Sequence, residues 1–262
     1  MIQINRQLLT NPLTRPALRA KNGSAYQLKA VRAIVAHWTA NTNKGAHAMA
    51  NRNYFNNGSP GPGGTFRSAS AHYCVDSTQI VQCLPDNEVG FHVGGVKYRP
   101  DGIRLMSGYK NVTPNYFTIG FEMCVNADGD WLKTYAYSIE LAAYLLKRHG
   151  LSTDNLLRHY DITGKDCPKM LLEEVQAILE AGTWQAFKWH VGRQLLQWEN
   201  LPVAEVMTDR LNVRSGPSVD KGVIRSIDKG ERVILFDVRP DGWAQIEQNQ
   251  FINTKYVQWL EL

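Results

Sequence analysis

The sequence predicts an α/β fold with a central mixed β-sheet flanked by helices, followed by a small all-β barrel. Three observations carry this. Apolar, β-branched runs of strand length recur at 31–37, 71–75, 79–84 and 116–125. Segments of helical periodicity lie between and after them, the clearest from Leu132 to His149. Beyond Glu199-Asn-Leu-Pro202 the helical patterning stops, and only short β-rich runs and turns remain.

Taken in order, residues 1–29 are polar and irregular, with Pro12 and Pro16, and are expected to wrap the outside of the sheet. The run 31–37 is the first strand. Between Thr42 and Gly58, Ala46, Met49, Ala50, Asn53 and Tyr54 fall at helical spacing, and a Gly/Pro loop from Asn56 to Gly64 ends the segment. Runs 71–75 and 79–84 read as two strands joined by a turn at Asp76-Ser-Thr78, and 85–115 reads mostly as loop. In the run 116–125, Ile119, Phe121 and Met123 alternate with Thr118, Gly120 and Glu122, so Glu122 lies on the face opposite the apolar set. Leu132, Tyr135, Ala136, Ile139, Ala143 and Leu146 make one helical stripe, which Gly150 stops. A second helix is expected through Leu171, Leu172, Val175, Ile178 and Leu179, and a third from Trp184 to about Gln197. The expected division is 1–182 for the α/β domain, 183–202 for a connecting helix and linker, and 203–262 for the all-β unit. The last has its own apolar set, including Leu211, Val213, Val223, Ile227, Val233, Leu235, Trp243, Ile246 and Val257, enough for a separate core.

Composition narrows the function. The net charge is +5, which is either an ordinary basic surface or an attraction to an anionic polymer. No basic run interleaved with aromatics supports nucleic acid as that polymer. The opening Met-Ile-Gln-Ile-Asn-Arg lacks the apolar core of a secretory signal, and the longest helical apolar stretch, around Ile139 to Leu146, is too short to span a bilayer. The expected partner list therefore excludes nucleic acid and membrane insertion, and the chain is expected to be made in the cytoplasm. No Cys-x-x-Cys pair occurs. Cys74, Cys83 and Cys124 sit in apolar runs as expected buried thiols, with any pairing among them open.

The densest chemistry is Arg158-His-Tyr-Asp-Ile-Thr-Gly-Lys-Asp-Cys-Pro168. His159 and Cys167 are both good zinc ligands. Asp161, Thr163 and Gly164 favour turns, so the segment reads as a loop able to fold the two onto one point, with Pro168 opening a helix. A helix across the whole stretch would leave them about 80° apart around its axis. His37, where the strand 31–37 gives way to Thr39, Asn41 and Asn43, is the proposed third ligand. Three protein ligands and an open fourth position describe a catalytic rather than a structural zinc.

The strand ending in His-Trp-Thr at 37–39, Ser-Ala-His-Tyr at 70–73, Phe-His-Val-Gly at 91–94, Thr-Ile-Gly-Phe-Glu at 118–122 and the 158–168 segment together resemble the type 2 N-acetylmuramoyl-L-alanine amidases, the zinc amidase and peptidoglycan recognition protein family. The resemblance spans roughly 28–180, and five motifs in the family's order make it specific. Leu211-Asn-Val-Arg-Ser-Gly-Pro-Ser218 resembles bacterial SH3-like domains, which are small barrels, over about 203–262. By resemblance, one Zn²⁺ per chain is held by His37, His159 and Cys167. Glu122 is the general base, Lys165 stabilises the oxyanion, and His72 and His92 bind substrate. Some relatives carry a tyrosine where this chain has Ala71, which leaves Glu122 without a rival there. The implied activity is hydrolysis of the amide between N-acetylmuramic acid and L-alanine in peptidoglycan, with the tail holding the wall. Lack of a signal fits a phage or prophage endolysin released through a separate pore. Alternatives are a cytoplasmic amidase trimming recycled muropeptides, a non-catalytic peptidoglycan-binding protein, and a cysteine peptidase using Cys167 with a lowered pKa and His159 as base.

Overall fold

The computed structural model describes residues 2–19, 26–60, 66–172 and 183–260. In chain order the first elements are β1 (Ile4–Arg6), β2 (Ala33–Trp38), α1 (Ala48–Asn57), the short pair β3 (Ser59–Pro60) and β4 (Phe66–Arg67), β5 (Tyr73–Val75), β6 (Ile80–Gln82) and α2 (Pro100–Leu105). There follow β7 (Thr118–Met123), α3 (Trp131–His149), β8 (Leu156–Arg158), α4 (His159–Thr163) and α5 (Trp184–Gln197). One six-stranded mixed sheet has the order β1-β6-β5-β7-β2-β8, in which β5, β7, β2 and β8 run parallel and the β5–β6 pair is antiparallel.

Strand alternation sorts this sheet into two faces. Ile34, Ala36, Ile119, Phe121, Met123, Tyr73 and Val75 point to the side covered by α3, whose Leu141, Ala142, Leu145 and Leu146 are wholly buried there. Each of these leucines contributes about 1.5–3 kcal/mol by leaving water. The opposite face is covered too: Cys74 packs under α1 with Ala48, and Ala33 and Val35 pack with Leu105 of α2. Glu122 therefore faces a covered side rather than solvent, because the parallel strands at the sheet's centre are buried on both faces. Asp130 caps α3 by accepting from the Lys133 N–H, and Lys147 and Arg148 place positive charge at the helix's negative end.

Two expectations about loops change. Residues 1–29 do not merely wrap the sheet: Ile2 and Ile4 are buried and β1 pairs in parallel with β6 as an edge strand. Within 85–115, α2 forms with Pro100 at its first position, where the missing N–H costs nothing. The helix expected through Val175 and Ile178 falls largely on 173–182 and lies outside the described residues. Pro168 precedes one turn of 3-10 helix, Lys169–Leu171. The third expected helix is α5, packed on α3 through Phe187 and Val191.

The all-β region comprises β9 (Val203–Val206), β10 (Arg210–Arg214), β11 (Val223–Asp228), β12 (Arg232–Ile234), β13 (Asp237–Val238), β14 (Trp243–Glu247), β15 (Gln250–Asn253) and β16 (Val257–Leu260). These make two antiparallel sheets, β11-β10-β15-β14-β13 and β12-β9-β16. Leu211, Val213, Ile227, Val233, Leu235 and Ile246 form a core of their own, while Val223 is half exposed. That core is not the whole account, because Val203 and Ile234 are buried in the same cluster as α3 and α5. Buried ion pairs join the two regions as well. Glu247 bonds Arg6 of β1 and, at 3.1 Å, Arg225, and Arg148 of α3 reaches Asp86 at 3.1 Å and Glu231 at 3.4 Å.

Candidate metal centre and active site

Three segments converge at the carboxyl ends of β2, β7 and β8. His37 is the penultimate residue of β2, and in the parallel β2–β7 pair it lies level with Glu122. Level residues on neighbouring strands share a face, so both side chains enter the same space. His159 opens α4 directly after β8. That segment, expected as a loop, is one helical turn, capped when Asp161 accepts from the Arg158 N–H at 2.8 Å. Gly164, at φ 83°, ends the turn in a left-handed conformation that a side chain would oppose. The chain then doubles back so that the Tyr160 N–H bonds the Cys167 carbonyl at 3.0 Å. Five helical residues and a reversal thus bring His159 and Cys167 together, which a continuous helix would not.

Ligand atoms of His37, His159 and Cys167 all lie within 4.8 Å of one another, the only such His/Cys/Asp/Glu group of three among the described residues. Cys167 Sγ is 3.6 Å from His37 Nδ1. All three residues are buried, yet neither ring nitrogen of His159 has a hydrogen-bond partner. An unmatched buried polar group costs about 1–3 kcal/mol, so an imidazole with both nitrogens orphaned beside a thiol and a second imidazole fits a metal ion. Protonation fits as well. Burial, then the charge of Lys165, lowers His159 to about 4, and burial with the neighbouring histidines holds His37 well below its ordinary value. Both rings are neutral at neutral pH, as ligands must be. Burial, then Glu122, pushes the Cys167 thiol up to about 12. That direction opposes a thiolate nucleophile, the basis of the cysteine-peptidase alternative.

Glu122 Oε2 is buried without a partner, and burial, only partly offset by Lys165, raises this carboxyl to about 8. Lys165 is exposed on the segment before Cys167, and its charge acts on His37, Glu122, His159 and Cys167 alike. His72 and His92, expected to bind substrate, sit behind the cluster. His72 is wholly buried, with one nitrogen 2.9 Å from the Glu88 carbonyl and the other accepting from the Gly120 N–H at 3.1 Å. The His92 ring lies between His37, at 3.0 Å, and Thr118.

Sequence reasoning passed over the residues that seat these rings. A Cβ on Gly120 would lie 2.4 Å from His92 Nδ1, so the glycine of Thr-Ile-Gly-Phe-Glu is the space the His92 ring occupies. Asn115 Oδ1 accepts from the N–H groups of His92 and Val93, at 3.1 and 2.9 Å. A glycine inside an otherwise apolar strand was the available signal, since it marks a close approach.

Comparison with known proteins adds to this geometry. A family model described as N-acetylmuramoyl-L-alanine amidase matches residues 27–170, and one described as bacterial SH3 domain matches 209–258. The chain is similar to a probable N-acetylmuramoyl-L-alanine amidase of Bacillus licheniformis, at 35% identity over 225 residues, covering 84% of this chain and 55% of that protein. It is similar to the N-acetylmuramoyl-L-alanine amidase XlyA of Bacillus subtilis strain 168, at 38% identity over 159 residues, covering 61% of this chain and 43% of that one. The solved catalytic domain of XlyA superposes with a TM-score of 0.54 at 32% identity, over 73% of this chain and 100% of that domain. A solved mutant endolysin from Bacillus subtilis gives the same TM-score at 30% identity, over 73% of this chain and 100% of that one. The chain spans about half the length of the curated relatives it matches.

Proposed function

Because the chain belongs to the N-acetylmuramoyl-L-alanine amidase family, we propose that it hydrolyses the amide between N-acetylmuramic acid and L-alanine in peptidoglycan, with one zinc ion held by His37, His159 and Cys167. The observation that carries this reading is the buried His159 with both nitrogens unpartnered, facing a thiol and a second imidazole within 4.8 Å. When bound, zinc supplies a Lewis acid that acidifies water and polarises the scissile carbonyl. Glu122, in its ionised form, would accept a proton from the attacking water and return it to the leaving nitrogen; the positive charge of Lys165 favours that form. Lys165 brings a positive charge to the oxygen of the attacked carbonyl, where negative charge develops in the transition state. His72 and His92 hold the surrounding strands and rings in place from behind. The SH3-like region holds the enzyme on the wall, raising its local concentration on an insoluble polymer. The endolysin among the solved relatives supports a lytic role on intact wall over the trimming of soluble fragments, which need no wall anchor.

The metal assignment is tested by elemental analysis of the purified chain and of Cys167→Ala. One zinc per wild-type chain, with wall lysis abolished by a chelator and restored by zinc, is the expected result. Full zinc occupancy in Cys167→Ala would overturn the ligand set.

A further inference from the structure

We infer that His92 is a positioning residue that fixes the ring tautomer of His37, so that His37 offers Nδ1 rather than Nε2 to the metal; the inference rests on the metal reading proposed above. It follows from counting protons along one chain of hydrogen bonds. The Thr118 hydroxyl has a single proton, and it is donated to the Pro114 carbonyl at 3.0 Å. Toward His92 Nε2, 3.2 Å away, that hydroxyl therefore presents only a lone pair. The other atom near His92 Nε2 is the Thr118 carbonyl oxygen at 3.4 Å, which is also only an acceptor. A ring nitrogen facing two acceptors carries the hydrogen. The His92 ring is buried and its described partners are His37 and Thr118, with no carboxylate among them to hold a second proton, so its other nitrogen, Nδ1, is bare. This bare Nδ1 lies 3.0 Å from His37 Nε2, which must then be the donor. With its proton on Nε2, His37 has an open lone pair on Nδ1, the atom 3.6 Å from Cys167 Sγ.

The direction of each bond is thus dictated from the far end, by a backbone carbonyl that cannot donate. Two neighbouring residues hold the relay in place. Gly120 leaves room for the His92 ring, and Asn115 anchors the backbone on either side of it. Were the relay reversed, His37 would point an N–H into the site and the ligand set would lose one donor. A metal-bound histidine whose other nitrogen is held in this way gains both orientation and basicity.

Zinc affinity of the full chain, measured by competition with a chromogenic chelator, tests this alongside the tautomer state of the zinc-free protein, read from long-range ¹H–¹⁵N correlations of the histidine rings. In zinc-free wild type, His37 should be protonated on Nε2 and bare on Nδ1. His92→Phe keeps a ring but removes the acceptor, and should bind zinc about 10–100-fold more weakly. His92→Asn returns an acceptor near the Nδ1 position and should recover most of that loss, which a purely space-filling role does not predict. Wild-type affinity in His92→Phe, equal losses in the Phe and Asn variants, or a His37 protonated on Nδ1 would each overturn the inference. Should His92→Phe fail to fold, the wild-type tautomer alone decides. A wild type that binds no zinc would refute the metal reading, yet the tautomer remains readable, so the two failures are distinguishable.

Discussion

Glu122 and Cys167 carry the sharpest expectations at the scale of the residue. Glu122→Gln keeps the shape of the side chain and removes the proton acceptor. It should bind zinc normally and lose turnover on peptidoglycan by a factor of roughly 10²–10⁴; near-wild-type turnover in steady-state assays would assign the base elsewhere. Cys167 predicts a proton balance. Its thiol is pushed up to about 12, so it is protonated at neutral pH and must lose that proton to bind as thiolate. His159, at about 4, and His37, lower than usual, are already neutral and release none. Zinc uptake between about pH 6 and 9 should therefore release at least the thiol's proton, any further release coming from Glu122 or zinc-bound water, and affinity should rise at least tenfold per pH unit. Calorimetry in buffers of different ionisation enthalpy reads that number directly, and uptake without proton release would exclude the thiolate. The residues proposed here were legible because residue types and their spacing are written in the chain. The placement of His72 and His92 behind the ligands was not, because which side of a ring faces solvent depends on packing from distant strands.

Elements of regular length were legible, and short ones were not. α3 has nineteen residues, a capped start and a continuous apolar stripe, and its periodicity alone predicts it. α4 has five residues, too few for a period, and its Asp161 and Gly164 serve as caps where they suggest a turn. β1 has three residues; Ile2 and Ile4 alternate with Gln3 and Asn5, but so short a pattern gains meaning only from its pairing with β6. Within β7, Gly120 tests how tightly strand and site are joined. Gly120→Ala places a methyl where the His92 ring now lies, and since that ring is bonded on both sides the strand or the ring must shift. The variant should lose about 1–3 kcal/mol of stability in denaturant titration. An unchanged midpoint would show that the ring's seat is loose.

Across the whole molecule, the all-β region is a docked body. The sequence predicted its separate core but not its attachment, because Glu247, Glu231 and Arg148 read as ordinary surface charges until the fold brings them together. Glu247 is 1% exposed and serves both Arg6 and Arg225. Removing one partner of such a group leaves uncompensated charge, so Glu247→Ala should lower global stability by about 3 kcal/mol, read as a fall in Tm. A loss confined to the all-β region, with the α/β domain melting as before, would show that the contact does not couple them. Truncation near Leu201 would also uncover the part of the α3–α5 core that Val203 and Ile234 now close, so anchoring is better tested by point changes on the tail's exposed surface than by deletion.

The same scale holds the claim on which the account depends, that this chain cuts the bond between N-acetylmuramic acid and L-alanine by means of zinc. Purified peptidoglycan would be digested by zinc-loaded wild type, by chelated wild type and by zinc-loaded Glu122→Gln, and the products weighed by mass spectrometry. The account predicts intact glycan strands separated from intact stem peptides that begin with L-alanine, in the first digest alone. Cuts within the stem peptide or the glycan, or the same products after zinc has been removed, would contradict it.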